Sequence, residues 1–123
     1  MDRVSVLKIL GKDIISVDYS GCKAEQMIEI FNQAKEIIEN SNGGCLILAN
    51  FERTFVTPSF MRHAEKEILQ VRHLISRNAF INLSRPQLMI LKGFRLFIGK
   101  DDFLSFGSYQ EAIDYLIGDD AKP

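Results

Sequence analysis

With 123 residues, 46% of them apolar and 25% charged, the chain has the length and balance of one globular domain that buries its own core. A net charge of −1, with no interleaved exposed aromatics, argues against a nucleic-acid reader. Cys22 and Cys45 lack C-x-x-C spacing, which argues against a disulfide framework, and the longest apolar-rich stretch, LMILKGFRLFI, is too short for a bilayer and carries Lys92 and Arg95.

VSVLKIL and IISVDYS are β-branched runs around Gly11-Lys12-Asp13, which predicts an antiparallel hairpin with its turn at those three residues. KAEQMIEIFNQAKEIIEN places Met27, Ile28, Phe31, Ala34 and Ile38 at helical spacing and stops at Asn40-Ser41-Asn42-Gly43-Gly44. CLILAN is uninterrupted apolar, the pattern of a strand covered on both faces. A second helix is predicted from Thr57-Pro58, with a stripe of Phe60, Ala64, Ile68, Val71 and Ile75 continuing to about Ser76. AFINL reads as the next strand, PQLMILKGFRLFI as a third helix, FLSF as a short strand and SYQEAIDYLI as a last helix, with Ser108 and Glu111 in capping-box spacing. The order ββαβαβαβα predicts a single α/β domain over 1–123. Its sheet has about five mostly parallel strands, with an antiparallel edge strand first, and about four helices; 118–123 form a flexible tail.

Charge is uneven along the chain: residues 51–100 carry nine Lys/Arg against three Glu, while the last stretch is acidic. Candidate chemistry is sparse. Thr57 suits an N-cap and Pro58 a first helical turn, so a structural cap explains the pair. The same place, a helix start after a central parallel strand, is also where ligands and anions approach such sheets, and both readings stay open. His63 and His73 lie ten apart on the expected second helix and cannot share a metal ion; Glu67 follows His63 by four, the spacing of a solvated pair. Cys22 has no His nearby in sequence, Cys45 reads as core, and Gly43-Gly44 lacks the flanking residues of a phosphate loop. No catalytic residue, metal or cofactor is expected. On the third helix, Met89, Ile90, Leu91, Phe94, Leu96, Phe97 and Ile98 spread over roughly 220°, more than one sheet face needs. The surplus is either packed between sheet and helices or faces a partner subunit, a groove or an apolar ligand.

Residues 13 to 117 resemble the STAS-like (SpoIIAA-like) family, related in fold to anti-sigma-factor antagonists. The residues that carry the resemblance are DYSG before the first helix, F-V-T-P opening the second, and NAFINLSRPQLMILKGFRLFIGKDDFLSFGSYQEAIDYL. The resemblance implies a STAS/SpoIIAA-like fold and a non-enzymatic regulatory or protein-interaction module. In antagonists of this fold a partner kinase phosphorylates a Ser at the start of the helix after the central strand, which carries over to Thr57 and Ser59. The expected interaction surface comprises Phe60, Met61, Phe94 and Phe97, with a protein regulator or kinase as partner and a homodimer as a further arrangement. The alternative is a carrier or sensor of an apolar or amphipathic small molecule near the third helix, with the basic segment meeting an anionic head group. MDRVSV has no signal-peptide pattern, so a cytoplasmic protein without nucleic acid or a transmembrane segment is expected.

Overall fold

The computed structural model describes residues 2–118. Its first two strands, β1 (Val4–Ile9) and β2 (Lys12–Asp18), pair antiparallel with Ile9 opposite Lys12. The turn is therefore Leu10-Gly11, both at positive φ (50° and 79°), the two-residue geometry whose twist matches the strands. This corrects the expected Gly11-Lys12-Asp13 turn, because Lys12 and Asp13 already belong to the ladder.

Helix α1 (Ala24–Glu39) buries Met27, Ile30, Ala34 and Ile38 as one ridge, with Ile28 and Phe31 partly buried beside it. Strand β3 (Cys45–Asn50) follows and pairs in parallel with β2 on one side and β4 (Ile75–Ile81) on the other. Its unbroken apolar run has a direct cause. Ile47 and Ala49 are buried under the helices of one face and Leu48 under those of the opposite face.

Helix α2 (Pro58–Ile68) is shorter than the sequence pattern suggests. A short 3-10 turn, Arg72–Leu74, follows, and Ile75 already pairs with Cys45 as the first residue of β4. Val71 leaves the helical backbone at φ −125° and ψ −2° yet stays buried. The apolar spacing from Phe60 to Ile75 thus crosses a helix, a turn and a strand, all buried against one core. The strand expected at AFINL begins four residues earlier and ends at Ile81, since Asn82 turns away at positive φ.

Helix α3 (Arg85–Ile98), strand β5 (Phe103–Phe106) and helix α4 (Tyr109–Ile117) complete the order. The sheet runs β1-β2-β3-β4-β5, parallel except for the first pair. Helices α1, α2 and α3 cover the face carrying Val17, Ile47, Ala49, Phe80 and Phe103; α4 covers the face carrying Ile14, Leu48, Ala79 and Ile81. This is the expected α/β architecture. Of the expected tail, 119–123 lie outside the described residues.

Several basic residues of the middle segment are used at element ends. Arg72 donates to the Ile98 carbonyl at the end of α3, and Lys100 to the Ile75 carbonyl at 3.0 Å. Arg77 donates to the carbonyls of Tyr115 and Gly118 and lies over the Tyr115 ring, while Lys12 reaches the Ile117 carbonyl at 3.3 Å. Helix α4 has no basic residue in its own last turn, so cations from β2 and β4 meet its negative end. The contacts described for these cations are to carbonyls at helix and strand ends.

Candidate functional site

Helix α2 starts at the carboxyl end of the central strand, and its first residues are set by ordinary capping. Thr57 has an extended backbone (φ −86°, ψ 160°), its Oγ1 accepts from the Phe60 amide at 3.2 Å, and Pro58 opens the first turn. Thr57 Oγ1 and Ser59 Oγ lie 3.0 Å apart, with Ser59 exposed and Thr57 half-buried. Thr57→Ala is expected to lower stability by about 1 kcal/mol through the lost cap. Chemical denaturation reads this, and an unchanged midpoint would contradict the cap.

Beside this turn, Gly21, Lys23, Arg53, Phe55 and Thr57 line a shallow surface groove between the starts of α1 and α2. Phe55 is 87% exposed. Across the carboxyl ends of the strands runs a polar row. Asn50 Nδ2 donates to Asp18 Oδ1 at 3.4 Å, while Asn50 Oδ1 accepts from Asn82 Nδ2 at 2.8 Å and from the Glu52 amide at 3.0 Å. An amide suits Asn50 because it donates to one neighbour and accepts from two, which a carboxylate cannot do.

The residues expected to form an interaction surface do not all lie on one. Phe60 is buried, packing edge-on against Tyr19 and Phe31, and Phe94 is buried against Phe103. Both leave the expected surface for the same reason: the sheet-facing side of each helix takes the ring. Met61 is half-buried, and Phe97 is 52% exposed alongside Met89 and Leu96. On α3 the buried row is Gln87, Leu91, Phe94 and Ile98, so the apolar surplus of the opposite side faces solvent.

Beneath these helices lies a cavity of about 100 Å³. Its wall includes Val17, Tyr19 and Ala49 from the sheet side, Phe60 and Met61 from α2, and Ile90 and Phe94 from α3. Three polar side chains are buried among the described residues. Thr54 donates to the Cys22 carbonyl at 2.6 Å; Gln87 donates to the Thr54 carbonyl at 2.8 Å and accepts from the Ser84 amide at 2.8 Å. The third, Asn78, lines the cavity, and its buried Oδ1 has no hydrogen-bond partner. Sequence reasoning missed Asn78 because it lay between a second helix expected to continue to about Ser76 and a strand expected to begin at Ala79; the signal was its place two residues before Phe80, on the same face of a strand.

The remaining candidates hold no reactive constellation. His63 Nε2 meets Asn32 Oδ1 at 2.6 Å, and Glu67 turns to Lys35 Nζ at 2.7 Å. The hydrogen bond from Lys35 holds the Glu67 carboxyl below its usual range, and the same bond raises Lys35, so the pair stays ionised. Cys22 and Cys45 are free and buried, with Cys45 Sγ 3.1 Å from Ser41 Oγ. His73 sits on the 3-10 turn, away from α2, and no group of three metal-binding side chains occurs among the described residues. None of the described helices is long and apolar enough to cross a membrane.

No family model and no curated protein matches the chain. Among solved structures it is similar to an anti-sigma-factor antagonist (STAS) domain protein from Planctomyces limnophilus. That similarity has 14% identity and a TM-score of 0.60 and covers 94% of this chain and 98% of that one. The chain has the STAS-like fold, in agreement with the resemblance carried by its motifs.

Proposed function

We propose that the protein is a non-enzymatic, cytosolic regulatory module that binds a protein partner through the first turn of α2. The observation that carries this reading is the hydroxyl pair Thr57 and Ser59, 3.0 Å apart, at the helix start following the central strand. The similarity to a protein described as an anti-sigma-factor antagonist supports it. The two hydroxyls have different duties. Thr57 is committed to the cap, whereas Ser59 is exposed and is the better acceptor for a phosphoryl group from a partner kinase. A phosphate of nearly −2 at this helix end meets the positive pole of α2, so folding survives while the docking surface changes. A partner surface fitted to a neutral hydroxyl beside Phe55 and Met61 then faces a dianion and loses affinity.

The test compares wild type and Ser59→Glu as baits in extract from the native cells, with both proteins checked for equal stability. A partner held by wild type and weakened about tenfold on Ser59→Glu is expected. Identical partner sets at equal strength contradict the reading.

A second reading, a sensor or carrier of an apolar small molecule, is favoured by the cavity and by the Asn78 Oδ1 in its wall, which has no hydrogen-bond partner. The two readings share structure, because Phe60 and Met61 belong to the α2 turn and also line the cavity.

A further inference from the structure

We infer that the cavity beneath α3 binds a compact, neutral molecule: an apolar body about the size of one ring, with a single hydroxyl or amide that pairs with Asn78. The inference rests on the second reading and names its ligand class.

Size comes first. The space is about 100 Å³ and is half open to the surface. An engineered apolar cavity of about 150 Å³ holds benzene, so a single ring is near the upper limit here without some outward movement of α3.

Polarity comes second. An amide buried without a partner is costly, and Thr54 and Gln87 show that the other buried polar side chains are paired. Asn78 is the exception, and it lines the cavity. Among the described residues, two further buried atoms lack a hydrogen bond, Arg95 Nε and Asp102 Oδ1, the latter 3.6 Å from Lys100 Nζ, and both belong to residues outside the cavity wall. A lone water is a poor substitute, since it needs two to four polar partners and the wall around Asn78 is mostly apolar. Tyr19 also lines the cavity; its backbone is bonded to Asn50 and Cys22, and its hydroxyl makes none of the described hydrogen bonds. Strand register sets Asn78 level with Ile15 through Ile47, and Tyr19 lies four residues farther along and two strands across, so the two backbones are offset by roughly 13 Å along the strands and roughly 9 Å across them. The ligand's polar group is assigned to Asn78 because its buried Oδ1 is the cavity-wall atom without a hydrogen bond.

Charge comes third. Lys35 is the cation of the cavity wall, and it is already held by Glu67 at 2.7 Å and Glu39 at 3.3 Å. A carboxylate ligand would enter an apolar space whose nearest cation is neutralised, which selects against anions.

The probes are phenol, toluene and benzoate, titrated at neutral pH into wild type, Asn78→Leu and Asn78→Ala while the backbone amide NMR signals of the cavity wall are followed. Phenol is expected to bind wild type about tenfold more tightly than either variant, while toluene binds the variants at least as tightly as wild type. Benzoate is expected to bind none of them. Phenol binding unchanged by both substitutions, or benzoate matching phenol, would overturn the inference and leave the cavity reading standing. If none of the three shifts the cavity signals of wild type, both fall.

Discussion

Phe94→Ala is expected to lower stability by about 3 kcal/mol, and Phe97→Ala, three residues along the same helix, by less than about 1 kcal/mol. The two differ only in direction. Phe94 is buried against Phe103 at a ring-centroid distance of 6.3 Å, while Phe97 is half open to solvent. Because Phe94 also lines the cavity, its loss enlarges an existing space, and the neighbouring side chains have little means of closing it. Urea denaturation of both variants decides the matter. Equal losses would mean that α3 is turned differently about its axis than described.

Asn78→Leu is expected to act in the opposite direction, raising stability by about 1–3 kcal/mol. Most core substitutions destabilise, so a gain of this size at a buried strand position points to one mechanism. The amide oxygen is buried at a desolvation cost that no hydrogen bond offsets, and in leucine two methyls take the places of the oxygen and nitrogen, so the shape is kept without overpacking. A loss of stability under the same denaturation would show that Asn78 is paired in solution. A fold that retains such a residue forgoes stability at that point, as is common where a ligand is held.

Much of this architecture was legible from local pattern. The apolar run Cys45–Asn50 could only be a strand covered on both faces, and Thr57-Pro58 marked the start of α2 through the same hydrogen bond that the structure contains. What escaped depends on distant partners. Arg77 looks like a loop residue until α4, 38 positions later, brings its end carbonyls within reach; only then does it belong in a strand. The beginning of β4 was given to α2 because Val71 and Ile75 continue the helical spacing of Phe60, Ala64 and Ile68. On α3 the apolar spread was plain, but its orientation was not. Gln87 sits in the buried row, since its amide closes Ser84 and Thr54, and no hydrophobic wheel places a glutamine there. Phe60 and Phe94 were assigned to a surface because their role as inward rings follows from helix rotation, which sequence spacing leaves free.

The most direct measurement is the modification state of the α2 turn in the protein isolated from its own cells. Trypsin cutting after Arg53 and Arg62 releases TFVTPSFMR, which contains three hydroxyl side chains. Thr54 is buried and donates to the Cys22 carbonyl, and Thr57 is engaged as the cap. Mass spectrometry of this peptide is expected to find a phosphoryl group on Ser59 in a fraction of the protein, and that fraction is expected to be missing from the partner-bound pool. A peptide that is unmodified in both pools, or a phosphoryl group present equally in bound and free protein, would contradict a switch at the first turn of α2.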